Sequence, residues 1–229
     1  MINGENDKMI GKYKEEQCYE YENGFYLTSQ PYRMGNILAH YELYKKIVEI
    51  PGDVIELGVF KGGGIIQFAT FRELLENERS RKIIGFDVFG EFPEGKRVES
   101  DTRFVKEWNT LFKDDFLTEQ DLYESFRLKE IHNVELVKGD ICETIREYLD
   151  TYPQTRISLL HIDTDIYEPA KAGLEQLFDR VVRGGVVIFD DYATVEGETM
   201  AVDEFFADKD YVIRKFPFSH VKPSYIVKK

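Results

Sequence analysis

Short apolar runs alternate with helix-length amphipathic segments along most of the chain. The runs predict five strands, at 53–57, 82–89, 134–140, 157–163 and 184–190. Helices are predicted after the first strand to about residue 78, after the third through about residue 149, and at 200–207. Strands that alternate with helices in this way indicate an α/β fold with a parallel sheet and helices on both faces.

The tail of the chain has a different pattern. Residues 211–216 and 224–229 predict two strands joined by a turn at 217–223. Such an antiparallel hairpin commonly closes the edge of a sheet.

Two further segments lie outside the alternation. Residues 1–50 are a predicted N-terminal helical or lid segment with a helix at 40–50, and the α/β domain is predicted to span 51–229. Residues 90–133 are too long for a simple crossover, and long connections in compact domains are often lids or binding loops. We therefore predict an inserted lid there.

Every predicted parallel strand ends in a carboxylate. In open α/β sheets ligands bind at the carboxyl ends of the strands, so these side chains are candidates for a site. A single such residue can simply cap a helix or shape a turn. The five are Glu56, Asp87, Asp140, Asp163 and Asp190.

The glycine-rich stretch "IELGVFKGGG", residues 55–64, follows the first strand. Its glycines allow close backbone approach, and free amides at a helix start can receive an anionic group. The stretch fails the dinucleotide pattern G-x-G-x-x-G because Phe60 occupies the second glycine position. Glu56 would repel a pyrophosphate but suits the ammonium and sulfonium of S-adenosylmethionine.

Later strand ends extend this cofactor site. Asp87 is placed to accept hydrogen bonds from ribose hydroxyls, and Asp140 to border the adenine. The predicted cofactor residues are Glu56, Gly58, Val59, Phe60, Gly62, Gly63, Asp87, Asp140 and Ile141.

The net charge of the chain argues against some kinds of binding partner. Thirty basic and 43 acidic residues give a formal net charge of −13, which disfavours nucleic acid. The sequence has neither a signal-peptide core nor the roughly 20 consecutive apolar residues of a membrane helix, so we expect a cytoplasmic protein with no membrane partner. Cys18 and Cys142 lack metal-ligand spacing and are expected to be reduced and structural.

Four motifs carry a family resemblance: "GDVIELGVFKGGG", "GFDVFGEFP", "HIDTDIYEPAKAGLEQL" and "GGVVIFDDY". Together they resemble the macrocin O-methyltransferases, metal-dependent class I enzymes that methylate sugar hydroxyls. The resemblance implies a Rossmann-like, seven-stranded methyltransferase sheet, S-adenosylmethionine as donor and Mg²⁺ as metal. Carried over by position, the metal ligands are Asp163, Asp190 and Asp191.

Elementary chemistry agrees with this ligand set. Three unpaired anions at one point would repel strongly, and all-oxygen ligation favours a hard divalent cation such as Mg²⁺. A hydroxyl on the ion becomes more acidic, so a nearby carboxylate can remove its proton. We rank Asp163 first as this base and Asp165 second, although Asp165 can also start the helix at Pro169.

His161 is a further base candidate, since it lies two residues before Asp163 on the same side of the strand. A core histidine is the simpler interpretation. Weaker candidates for substrate contact are His220, Trp108, Tyr167, Tyr192, Arg97 and Arg103.

The leading hypothesis is a Mg²⁺-dependent O-methyltransferase acting on a sugar-type small molecule. A nicotinamide-dependent sugar dehydrogenase and a non-catalytic binder of S-adenosylmethionine are the alternatives. The aromatic stretch "YENGFYLTSQPYRMGN" is a candidate to contact a second subunit of a homo-oligomer or to cover the active site.

Overall fold

The computed structural model describes residues 9–95, 97–113, 115–219 and 222–229. Within these ranges, seven strands form one sheet in the order β5-β4-β3-β6-β7-β9-β8. Strands β3 to β7 run parallel, whereas β9 pairs antiparallel with β7 and β8. The sheet strands are β3 (Asp53–Leu57), β4 (Ile83–Asp87), β5 (Val134–Lys138), β6 (Ile157–Ile162), β7 (Val181–Phe189), β8 (Arg214–Lys215) and β9 (Ser224–Val227).

A small hairpin and the helices complete the described structure. The hairpin strands are β1 (Met9–Ile10) and β2 (Tyr13–Lys14). The α-helices are α1 (Cys18–Thr28), α2 (Pro31–Lys45), α3 (Gly63–Leu75), α4 (Glu99–Leu111), α5 (Glu119–Leu128), α6 (Ile141–Thr151), α7 (Tyr167–Leu177) and α8 (Glu196–Phe206). No helix in the described ranges combines the length and the apolar character needed to cross a membrane.

The sheet separates two apolar cores because successive side chains of a strand point to opposite faces. On β3, Ile55 and Leu57 join the core that contains residues of α6, α7 and α8. Val54 joins the other core, with residues of α2, α3 and α5. The predicted α/β sheet with helices on both faces is therefore confirmed.

The predicted strands and the closing hairpin are present, but some helices differ from expectation. Helix α1 lies within the segment predicted as helical or lid, but its bounds were not predicted because its apolar residues follow no clear helical period. Helix α2 starts at Pro31, nine residues before the predicted start, since proline suits the first helical turn. The described part of residues 90–133, predicted as an inserted lid, contains two helices, α4 and α5.

A buried arginine joins the start of the sheet to the helices around it. The Arg81 guanidinium donates to Glu76 at 2.7 Å, to the Gly52 carbonyl at 3.0 Å and to the Ser158 hydroxyl at 2.6 Å. It also donates to the Ile47 carbonyl at 3.0 Å. One side chain therefore fixes the segment between α2 and β3 against β6.

We expect Arg81→Ala to lower the free energy of unfolding by about 3–5 kcal/mol, because it removes the charged partner of the buried Glu76 carboxylate and the donor of several carbonyls. Urea denaturation followed by circular dichroism measures the change. The control is Arg79→Ala, at an exposed position two residues away, with an expected change within about 0.5 kcal/mol. Equal stability of the two variants would contradict this role of Arg81.

Candidate active site

A cavity of about 830 Å³ opens at the carboxyl ends of the parallel strands. This is where open α/β sheets bind ligands, and the volume suits a cofactor together with a small acceptor. The loops after β3, β4, β5, β6 and β7 all contribute to its wall, and α2 and α4 cover it from the sides.

The glycine loop after β3 forms one wall. Gly58 has φ +87°, and a Cβ there would lie 1.8 Å from the carbonyl oxygen of Asp163, so only glycine fits. The Asp87 carboxylate accepts the backbone N–H groups of Val59 at 2.7 Å and Phe60 at 2.9 Å. Asp87 therefore fixes the shape of the loop and also faces the cavity.

Most of the predicted cofactor residues line this cavity. Asp140 does so from the start of α6, where its carboxylate accepts the N–H of Cys142 at 2.9 Å. Gly62 caps α3 in a left-handed conformation, φ +79°, and lies outside the wall. The predicted cofactor residues in the wall are Gly58, Val59, Phe60, Gly63, Asp87, Asp140 and Ile141.

Glu56 is the second predicted cofactor residue that lies outside the wall. It is 1% exposed and does not line the cavity. Its Oε1 lies 3.0 Å from Nδ1 of His161, its neighbour in the β3–β6 register, and a Cβ on Gly64 would lie 1.9 Å from the same oxygen. Glu56 therefore contacts His161 and the backbone of α3 beneath the cavity, because the register places the two side chains together on one face.

The three predicted metal ligands meet at the cavity wall. Asp163, Asp190 and Asp191 each place a carboxylate oxygen within 4.8 Å of the others. Burial and the charge of Asp190 raise the pKa of Asp163 well above its usual range. This crowding of oxygen donors is the arrangement that a hard divalent cation requires.

Lys222 places one positive charge beside the acidic trio, Asp163, Asp190 and Asp191. Its ammonium contacts Asp191 and lies 3.9 Å from Oδ2 of Asp190. Burial alone would lower the pKa of Lys222, but Asp191 and Asp190 outweigh it, so the pKa lies above its ordinary value. A single ammonium balances only part of the charge of three carboxylates.

The other oxygen of Asp190 faces protein donors. Asn36 Nδ2 donates to Oδ1 at 3.1 Å, and the ring Nε2 atoms of His40 and His161 lie 3.6 and 3.7 Å from it. Burial alone would raise the pKa of Asp190, but His161 and His40 hold it well below the usual range. For His161, burial lowers the pKa, but Asp190 and Glu56 outweigh it and raise the pKa well above its ordinary value.

The other two base candidates, His161 in β6 and Asp165 in the loop after it, occupy different environments. His161 is fully buried and does not line the cavity, as the core interpretation expected. Asp165 lines the cavity and has φ +59°, a left-handed conformation that turns the chain into α7. Burial and the Asp191 charge raise the pKa of Asp165 well above its usual range.

Two buried carboxylates near the site were missed by sequence reasoning. Glu198, in the first turn of α8, accepts the N–H of Asp191 at 2.9 Å and that of Thr164 at 3.4 Å. Asp101, in α4, accepts the N–H of Tyr167 at 2.9 Å, where α7 begins. Acidic residues in a first helical turn are common on surfaces, so the sequence carries no signal of these tertiary partners.

The inserted segment contributes an aromatic wall. Trp108 packs between Phe104, with ring centroids 5.4 Å apart, and Phe60, at 5.2 Å. All three line the cavity. Residues of the inserted segment 90–133 therefore form part of the cavity wall, and a lid function for this segment stays a prediction.

The remaining candidates among the described residues lie away from the cavity wall. Arg97 pairs with Glu204 at 3.1 Å and lies over the Tyr167 ring. Tyr192 donates to Asp203 at 2.8 Å, and Arg103 is exposed. His220 lies outside the described residues.

Comparison with known proteins places this geometry in a family. The family model described as Macrocin-O-methyltransferase (TylF) matches residues 32–215, most of the chain. CalS11, a calicheamicin methyltransferase of known structure, has a TM-score of 0.69 and 28% identity, over 91% of this chain and 84% of its own.

Two curated relatives come from Streptomyces. The 8-demethyl-8-(2,3-dimethoxy-alpha-L-rhamnosyl)-tetracenomycin-C 4'-O-methyltransferase of Streptomyces olivaceus is 30% identical over 63% of this chain and 54% of its own length. The demethyldecarbamoylnovobiocin O-methyltransferase of Streptomyces niveus is 29% identical over 70% and 60%. The chain therefore spans between half and two thirds of each relative. On the family match, the chain belongs to the macrocin O-methyltransferase family.

Proposed function

We propose that the protein is an S-adenosylmethionine-dependent, Mg²⁺-dependent O-methyltransferase that acts on a hydroxyl of a sugar or sugar-containing small molecule. The observation that carries the proposal is the convergence of Asp163, Asp190 and Asp191 beside a cavity walled by the glycine loop. Membership of the family supports methyl transfer. Neither the family nor the loop favours the dehydrogenase alternative.

The relatives support the acceptor class. CalS11 is described as a TDP-rhamnose 3'-O-methyltransferase, and the Streptomyces olivaceus enzyme is named for a rhamnosyl tetracenomycin. The aromatic wall of Phe60, Phe104 and Trp108 offers flat apolar surface of the kind that binds rings. The acceptor of this chain is therefore proposed to be a natural product, glycan or nucleotide sugar.

The glycine loop and the ends of β4 and β5 would hold the cofactor. Gly58 and Gly63 allow its close approach to the backbone, and Asp87 and Asp140 provide the acceptors that a ribose and an adenine need. Glu56 lies beneath the wall, so we assign it a supporting role through His161. No other part of the described cavity combines these features.

The trio fits Mg²⁺ by its chemistry. Asp163, Asp190 and Asp191 offer oxygen donors only, and these lie within 4.8 Å of one another. A bound Mg²⁺ would make an acceptor hydroxyl in its coordination sphere more acidic. The residues then have to orient that hydroxyl and remove its proton.

Asp165 is the best placed carboxylate for the proton. It faces the cavity, whereas Asp163 belongs to the trio and His161 is buried behind it. Asp165 would take the proton of the acceptor hydroxyl, and S-adenosylmethionine, held by the glycine loop and the ends of β4 and β5, would supply the methyl group.

We expect methyl transfer from labelled S-adenosylmethionine to TDP-rhamnose or a rhamnosylated natural product, and we expect EDTA to abolish it, because the trio cannot act without its cation. Label in the isolated product measures turnover. Added Mg²⁺ should restore activity to the chelated enzyme, with Ca²⁺ as the comparison ion.

Two results would count against this proposal. Full activity in EDTA would reject the metal, and binding of S-adenosylhomocysteine without turnover on any sugar acceptor would favour the non-catalytic alternative.

Asp165→Asn should lower kcat by about 10²–10⁴-fold, because the amide keeps the shape but cannot take a proton. Isothermal titration should show Mg²⁺ and S-adenosylhomocysteine affinities within a few-fold of wild type. Asp163→Asn is the comparison, and it should weaken Mg²⁺ binding. Unchanged kcat in Asp165→Asn would assign the proton to another group.

A further inference from the structure

We propose that Glu198 is a positioning residue that fixes the spacing between the two loops that carry the acidic trio. The inference rests on the proposed Mg²⁺-dependent function and adds a residue to it. Glu198 is fully buried and does not line the cavity, so its action is on the loops and not on substrate.

Each oxygen of the Glu198 carboxylate serves a different loop. Oε1 accepts the N–H of Asp191 at 2.9 Å, and Oε2 accepts the N–H of Thr164 at 3.4 Å. The backbone N–H of Glu198 donates to the carbonyl of Asp165 at 3.1 Å. One residue of α8 therefore holds the loop after β6 and the loop after β7 at the same time.

These contacts begin where the sheet stops. The β6–β7 pairing ends at Ile162 and Phe189, and the last bond between the strands joins the N–H of Asp190 to the carbonyl of Ile162. Beyond that bond the sheet no longer fixes the distance between the chains. Just beyond that bond, the Glu198 carboxylate accepts the backbone N–H groups of Thr164 and Asp191, one from each loop.

A buried carboxylate at position 198 is energetically unfavourable. It is buried beside Asp191 and Asp165, which are also acidic, and a buried charge near like charges is unfavourable. An apolar residue would avoid that cost but would leave two backbone N–H groups unpaired. The need to hold two donors at once explains the carboxylate.

The substitution Glu198→Gln distinguishes a hydrogen-bonding role of this side chain from a role in packing alone. Its side chain has the same shape but only one oxygen, so it can accept from one loop while its NH₂ group faces the N–H of the other. Glu198→Gln should therefore loosen one loop against the other without opening a cavity. The cofactor wall at Gly58 and Asp87 has no described hydrogen bond to Glu198, and Asp87 holds its backbone through separate bonds, so the effect of the change should be largest at the trio.

The test compares Glu198→Gln with Glu196→Gln, a matched exposed change on the same helix, where Glu196 accepts the Ser100 hydroxyl. Isothermal titration measures Mg²⁺ and S-adenosylhomocysteine binding separately. We expect the Mg²⁺ Kd of Glu198→Gln to rise about 10–100-fold, as for other residues that orient metal ligands. Its S-adenosylhomocysteine Kd should stay within about twofold, kcat should recover at saturating Mg²⁺, and Glu196→Gln should match wild type.

The outcomes distinguish the two proposals. If wild-type protein does not bind Mg²⁺, the metal proposal falls and this one falls with it. If wild type binds Mg²⁺ and Glu198→Gln binds it equally well, only the role of Glu198 is overturned. Joint loss of Mg²⁺ binding, S-adenosylhomocysteine binding and cooperative unfolding would show a general structural role and would also overturn it.

Discussion

Mutual repulsion among the carboxylates at the strand ends is the constraint on which the rest of the site depends. Two unit charges less than 5 Å apart repel by roughly 3–4 kcal/mol at the effective dielectric of a protein. Asp163, Asp190 and Asp191 lie within that range of one another, and Asp165 and Glu198 are close behind them. The surrounding residues partly balance this negative charge and hold the carboxylates in position.

The two oxygens of Asp190 show how the balance is divided. Oδ1 faces Asn36, His40 and His161, whereas Oδ2 faces Lys222. Protein donors on one side hold the carboxylate ionised and fix its orientation, which leaves the other side for a cation. Asp163 has no such set of donors, so the directions of the two pKa shifts are opposite even though the side chains are neighbours.

Sequence patterns predicted the strand ends well because the geometry of a parallel sheet determines where they meet. Asp163 and Asp190 follow strands that proved to be adjacent, so both were expected at one edge. The patterns could not show that Glu56, predicted for the cofactor site, contacts His161, because that contact depends on which strand lies beside β3. Glu198 and the bounds of helix α1 were missed for different reasons. The partners of Glu198 are set by tertiary packing, and α1 has no apolar face to detect.

The contact between Glu56 and His161 links the cofactor wall to the acidic trio. Gly64 allows the close approach of α3 to Glu56, Glu56 lies 3.0 Å from one ring nitrogen of His161, and the other ring nitrogen faces Asp190. The glycine loop and the start of α3 therefore line the cavity on one side and pack against Glu56 on the other. A larger residue at position 64 would displace Glu56, and through His161 it would disturb Asp190. The helix start that follows the glycine loop and the network that holds Asp190 are consequently packed against each other.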